Sequence, residues 1–228
     1  MKLVEISQHL LESAKMNQDV SPYIHQLETL SLSQLLVYLD TDNKKKAFWI
    51  NTYNAFATIL LRPSPKIILN SLNRKAFFNK KQVKIGSCLL SLNNIEHNIL
   101  RKSSVWWGKG YLKKWWVSNC DKQLRVEQLD ARIHFALNCG GKGCPPIRFY
   151  EAETLDKQLE IATQAFLFSE VKQHKNTIEV SKLFNWYIGD FGGKKGLIQL
   201  FKKHQVLTKE SHHLTIKYTE YNWQPWIK

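Results

Sequence analysis

Cys139 and Cys144 bracket a turn containing three glycines, Gly140-Gly141-Lys142-Gly143. A thiolate is an effective nucleophile, and near neutral pH it forms only beside a base or in a positive field. The amides of a glycine-rich loop could supply that field and hold an oxyanion. His134 or His97 could act as the base, with Glu96 or Asn51 orienting the imidazole. These are the parts of a cysteine hydrolase or acyltransferase in which Cys139 or Cys144 attacks. The plainer alternative makes both cysteines small buried fillers at a tight turn.

The same residue types suit zinc, with His134, Cys139, Cys144 and His97 as ligands. Their H-x4-C-x4-C spacing departs from the common zinc patterns, so neither a metal nor another cofactor is expected. The candidate substrate contacts are Asn51, Tyr53, Asn54 and Asn138. Asn51 and Asn54 are i, i+3 neighbours on a predicted helix, so both amides can meet one partner while Tyr53 points elsewhere. The alternative, favoured for the two amides, is that they bond to nearby backbone and fix helix docking.

The elements that must position these residues begin with helices. Leu3, Ile6, Leu10 and Leu11 form a helical stripe, Ser21-Pro22 starts a second helix, and Ser31 or Ser33 caps a third. A longer helix is predicted from about Lys44 to Leu61, stopped by Pro63 and Pro65. Val83 and Ile85 alternate with lysines ahead of a Gly86-Ser87 turn into Cys88-Leu89-Leu90. Ser91 resembles an N-cap for a helix carrying Leu92, Ile95, Ile99 and Leu100. Arg132 to Asn138 alternates apolar and polar residues and reads as a strand. That strand would put Cys139 on the face of Ile133, Phe135 and Leu137, opposite His134, and would leave Cys144 freer to fold back. A helix over Thr154–Ser169, a strand over Thr177–Val180, a helix capped by Ser181, a basic helix after Gly193 and a strand over Leu214–Tyr218 complete the pattern. His212-His213 near the C-terminus is expected on an exposed strand, with no recognised partner. The reading is an α+β fold, with a helical N-terminal part packed on a mainly antiparallel sheet, in one domain over residues 1–228.

Composition bounds the function classes. Lys and Arg number 33 against 19 Asp and Glu, a net charge of +14, spread over scattered pairs. That balance favours nucleic acid or an acidic partner, and it makes a non-catalytic basic binding domain the competing reading. Trp106-Trp107 and Trp115-Trp116 interleave with Lys109, Lys113 and Lys114; stacking on bases is one role for them, and core packing is the favoured one. Glu5, His9 and Glu12 interrupt the apolar run that a secretory signal needs, and no stretch is long enough for a transmembrane segment. The expectation is a cytoplasmic protein with four reduced cysteines. The chain carries no phosphate loop, dinucleotide fingerprint or serine-nucleophile elbow.

Three segments together resemble the DUF547 family. They are Phe48-Trp49-Ile50-Asn51-Thr52-Tyr53-Asn54-Ala55, the run from Ser91 to Arg101 containing Ile95-Glu96-His97, and Asp130 to Cys139 continuing to Cys144-Pro145-Pro146. Lys182 to Tyr187 with Asp190-Phe191-Gly192 is similar as well. The resemblance spans roughly Lys44 to Gly192 in the family's order and implies relatives of unassigned function rather than a reaction. Asn98 stands where the family commonly has glycine, Asn93-Asn94 where acidic residues are common, and the Gly140–Gly143 turn replaces a more usual small-and-serine turn. The family is also distantly similar in layout to papain-like or transglutaminase-like proteins.

Overall fold

The computed structural model describes residues 2–207 and 214–226. His212-His213 lies outside the described residues. The chain opens with helices α1 (Leu3–Met16), α2 (Ser21–Glu28), α3 (Leu32–Tyr38) and α4 (Asp42–Leu61). Ser31 caps α3 by accepting from the Gln34 amide, and Thr41 caps α4 by accepting from the Lys44 amide. Helix α4 packs along α1 and is buried nearly all round from Lys45 to Thr58, which explains its lack of an amphipathic stripe. Helix α5 (Ser71–Asn79) is capped by Asn70, whose side chain accepts from the amides of Leu72 and Asn73.

Strands β1 (Val83–Ile85) and β2 (Cys88–Leu90) pair antiparallel as the alternation predicts. Ser91 then starts a helical segment, its Oγ accepting the Asn94 amide at 3.0 Å. The chain continues as a π-helix over Asn94–Leu100 rather than as a regular α-helix. An irregular tryptophan-rich stretch leads to α6 (Asn119–Leu124) and a 3-10 helix over Ala131–Phe135. Helix α7 (Leu155–Glu170) follows, then β3 (Lys172–His174), β4 (Thr177–Ser181), α8 (Leu183–Trp186), α9 (Gly193–Lys203) and β5 (Thr215–Thr219). The second sheet has the order β3-β4-β5, antiparallel between β3 and β4 and parallel between β4 and β5. The class is α+β, with two small sheets instead of one broad antiparallel sheet.

Two apolar clusters form the interior. One is built by α1 to α5, the first hairpin and the π-helix. The other gathers Phe135 with α7, β4, α8 and α9. Among the described residues no helix is long and apolar enough to cross a membrane.

Three expectations are corrected. The segment predicted as a strand over Arg132–Asn138 is instead helical at its start, with Asp130 accepting the Arg132 amide. A half-buried strand needs a wet face and a pairing neighbour, but His134, Ala136 and Asn138 are buried along with Ile133 and Phe135. The parity argument separating His134 from Cys139 therefore does not apply. The tryptophans do not pack into the core: Trp115 and Trp116 are 93% and 87% exposed. The neighbouring lysines anchor that stretch, Lys113 Nζ donating to the Arg101 carbonyl and Ser104 Oγ, and Lys114 Nζ to Asn98 Oδ1.

Finally, Cys88 and Cys120 are joined as a disulfide, so these two are not reduced thiols. The bond ties β2 to the start of α6 and brackets the π-helix and the tryptophan-rich stretch. With a sequence separation of 32 residues, closing this loop in the unfolded chain is worth about 3–4 kcal/mol. Unreduced, denatured protein is expected to alkylate at Cys139 and Cys144 alone, and Cys88→Ser with Cys120→Ser is expected to lower the melting temperature by several degrees. Alkylation of all four cysteines without reductant would show that the bond is absent.

Candidate functional site

A cavity of about 530 Å³ opens where the two apolar clusters meet. Tyr53 reaches it from α4, Glu96 and His97 from the π-helix, His134 from the 3-10 helix and Cys139 from the turn that follows. A π-helix widens the turn by one residue per hydrogen-bonded loop. Here it places the consecutive Glu96 and His97 together on the cavity wall.

Behind the wall lies a charged cluster centred on Asp190. Its Oδ2 accepts from Arg101 Nε at 2.6 Å and from His134 Nε2 at 2.8 Å. The side chains of Arg101 and Asp190 are 0% and 1% exposed. Burial alone would raise the Asp190 pKa, but the His134 and Arg101 donors outweigh it and hold the carboxyl well below the usual carboxylate range. For His134 burial dominates and lowers the pKa, with Asp190 opposing, so the imidazole is neutral near pH 7. A neutral ring donating through Nε2–H leaves Nδ1 as an acceptor. No residue described bonds to that Nδ1.

His97 takes its tautomer from Arg101. The guanidinium only donates, so its 2.9 Å contact makes His97 Nδ1 the acceptor and places the proton on Nε2. Burial, aided by Arg101 and Lys114, lowers the His97 pKa to about 4 although Glu96 pulls it upward. Glu96 is ionised: burial would raise its pKa, but His97, Arg101 and the Tyr187 hydroxyl, which donates at 2.7 Å, lower it further. The Tyr187 ring stacks on His134 with centroids 3.8 Å apart, and the Arg101 guanidinium lies over the same Tyr187 ring at 4.7 Å from its centroid. Gly110, at φ +91°, lets the tryptophan-rich stretch approach so closely that a Cβ there would collide with Asp190.

The thiols form a second polar centre. Cys139 and Cys144 Sγ are 2.9 Å apart, and Tyr221 Oη donates to Cys144 Sγ at 3.1 Å. The Cys139 amide also donates to Cys144 Sγ at 3.1 Å. Burial would raise the Cys144 pKa, but the donors converging on its sulfur outweigh it and lower it below the ordinary thiol value. The Cys139 pKa is pushed well up, first by its hydrogen bond to Cys144 and then by burial. Of the pair, Cys144 is therefore the first to lose its proton, and Cys139 keeps its own. Of the two, Cys139 lines the cavity, and Cys144 lies behind it.

The asparagines build this arrangement. Asn51 clamps both backbone groups of Tyr150, donating to its carbonyl at 2.8 Å and accepting from its amide at 3.0 Å. Asn54 does the same across Ala136 and Asn138, at 2.9 and 2.8 Å. Asn138 donates to the Pro145 carbonyl and accepts from the Gly140 amide and Trp226 Nε1. All three amides bond to the scaffold instead of facing the cavity, and Asn51 orients neither histidine. Gly140, at φ +89°, supplies the left-handed turn between the thiols.

Of the candidate catalytic and substrate-contact residues, the cavity therefore gathers Tyr53, Glu96, His97, His134 and Cys139, and Trp106, Trp107 and Lys109 of the tryptophan-lysine stretch line it too. Sequence reasoning missed Asp190, Arg101, Tyr187 and Tyr221. Asp190 is 89 residues from Arg101 and 56 from His134, separations that no local spacing rule reaches. Their only signal was membership of family-like segments, which holds for Arg101, Tyr187 and Asp190. Among the described residues, no group of three or more His, Cys, Asp or Glu side chains is placed to hold a metal ion.

The model of the DUF547 family, described as a protein of unknown function, matches residues 38–167, more than half of the chain. The chain belongs to this family. No curated protein and no solved structure matches it, so the likeness to papain-like or transglutaminase-like proteins has no support.

The thiol pair yields a direct expectation. Cys144→Ala removes the hydrogen-bonding and titrating neighbour that raises the Cys139 pKa. Alkylation of Cys139 at pH 8, followed by peptide mass spectrometry, should become several-fold faster than in the wild type. A slower rate would reverse the assignment of the proton.

Proposed function

We propose that the cavity is the active site of a thiol-dependent acyl-transfer enzyme, which acts as a hydrolase when water accepts the acyl group. One observation carries this reading: Cys139 and His134 line the same cavity, and Asp190 fixes His134 with Nδ1 left over as a base. The order nucleophile, imidazole, carboxylate is that of the general thiol and hydroxyl hydrolase constellation. Asp190 differs from an ordinary orienting carboxylate in that it also carries the buried Arg101.

In the proposed reaction Cys139 Sγ attacks the acyl carbonyl while its proton passes to His134 Nδ1. The C–S bond forms, the carbonyl oxygen takes the negative charge, and His134 returns the proton to the leaving group as its bond breaks. Water, deprotonated by His134, then releases the acid from the thioester and restores the thiol. Because the resting Cys139 is protonated, the base must act within the attack and not before it. Tyr53 is 1% exposed and its hydroxyl makes no hydrogen bond within the described protein. Burial first, then Glu96 and Cys139, push its pKa well up. It therefore remains a donor and is suited to the oxyanion. His97 and Glu96 are neutral and ionised neighbours beside this cluster, where Glu96 holds the Tyr187 hydroxyl and His97 holds Arg101.

The competing reading, a basic surface for nucleic acid or an acidic partner, has weaker support, because the Lys113 and Lys114 amines are spent inside the molecule.

Incubation with p-nitrophenyl acetate tests the proposal. Peptide mass spectrometry is expected to find the acetyl group on Cys139. His134→Gln is expected to slow acetylation by about a hundred-fold or more, with unchanged circular dichroism. Acetylation confined to lysines or Cys144, or a wild-type rate in His134→Gln, would contradict it.

A further inference from the structure

The charges around the cavity are distributed unevenly. Its lining includes Arg74, Lys75 and Lys109, and Glu96 as the one carboxylate among the described lining residues. Glu96 is buried on the floor and already accepts from Tyr187. The three cations lie toward the mouth, where Lys75 and Lys109 are exposed and Arg74 is half-buried. None of the three has a carboxylate within ion-pair distance among the described residues, whereas Arg132, Lys182 and Lys217 elsewhere on the surface do.

These cations are also held in place. The Arg74 guanidinium stacks over Trp223 at 3.8 Å from the ring centroid and donates through Nη1 to the Ile68 carbonyl. Lys75 Nζ sits 5.2 Å from the centroid of Trp106, and Lys109 Nζ donates to Asn185 Oδ1 at 3.3 Å. Stacking on an aromatic face fixes a guanidinium plane while leaving its remaining N–H groups to a planar or tetrahedral anion. Apolar side chains line the cavity alongside these cations, the exposed Leu72 and Trp107 and the buried Phe78 among them. A volume of about 530 Å³ suits a small organic molecule rather than a polymer segment.

We propose that the cavity binds acyl compounds with an apolar, aromatic-sized body and one anionic group, a carboxylate or phosphate, held at the mouth by Arg74, Lys75 and Lys109. This rests on reading the cavity as the substrate site of the proposed acyl transfer. The apolar body lies against Leu72, Phe78 and Trp107, and the reacting carbonyl reaches Cys139 on the floor. A neutral acyl compound of the same shape fills the walls but leaves the three cations without a counter-ion. Selection between the two comes from charge-assisted hydrogen bonds.

Calorimetric titration with 2-naphthoate and with 2-naphthamide, which differ in charge and little in shape, tests the inference without requiring any reaction. The carboxylate is expected to bind the wild-type protein about ten-fold or more tightly than the amide. The preference should shrink in Arg74→Gln and in the Lys75→Gln, Lys109→Gln double variant, and should weaken with salt. The lysine variant keeps the test decisive if Arg74→Gln loses its fold. Cys139→Ala should retain the preference, so failure of the thiol chemistry and failure of anion selection give different results. Equal binding of the two probes, preference for the amide, binding of neither at millimolar concentration, or a preference insensitive to the basic residues would overturn the proposal.

Discussion

The arrangement depends on one buried interaction, the acceptance by Asp190 Oδ2 of both Arg101 Nε and His134 Nε2. Moving an arginine and an aspartate out of water is costly, and their attraction offsets that cost only with good geometry and further hydrogen bonds. The fold brings three separate segments together to make the Arg101–Asp190, His134–Asp190 and Arg101–His97 bonds. It leaves Arg101 Nη2 and Asp190 Oδ1 buried without a partner among the described residues. Arg101 ends the π-helix, His134 lies in the 3-10 helix, and Asp190 follows α8. The interaction thereby joins the two apolar clusters at their seam, where the cavity opens. The neighbouring Cys88–Cys120 bond restrains the segment that delivers Glu96, His97 and Arg101.

A second consequence is electrostatic. With Arg101 beside them, His97 and His134 are both held neutral, by burial first and by the positive guanidinium in addition. The two rings are given opposite tasks by their partners. Arg101 makes His97 Nδ1 an acceptor, whereas Asp190 makes His134 Nε2 a donor. Only the second arrangement leaves a basic Nδ1 on a ring that shares the cavity with a thiol. The same reasoning separates the cysteines: donors converge on Cys144, and the protonated Cys139 is the one that faces the cavity.

Much of this organisation was legible in the sequence where local patterns carry it. The N-terminal helices, the Val83–Ile85 hairpin strand, α7 and the β4 and β5 strands follow from periodicity and caps, because those signals act within a few residues. The Ala131–Phe135 segment was misread because alternation implies a wet face, and here both sets of side chains are buried by the rest of the chain. The candidate residues Cys139, His134, His97, Glu96 and Tyr53 were named from their chemistry, and their convergence is a tertiary result. Asp190 and Arg101 were not named, since an aspartate far along the chain acquires meaning only through its contacts. For Asn51 and Asn54 the alternative of backbone clamping was visible in advance, and it is the role their hydrogen bonds describe.

The central claim is that Asp190 holds a neutral His134 with Nδ1 free toward the cavity. Nitrogen-15 NMR of the His134 imidazole near pH 7 tests it most directly, with assignment by His134→Gln. The account predicts a protonated Nε2 and an unprotonated Nδ1, with the Nε2–H lost as a hydrogen-bonded signal in Asp190→Ala. A ring protonated at Nδ1, or charged at both nitrogens, would contradict it, because no base would then remain to take the proton from Cys139.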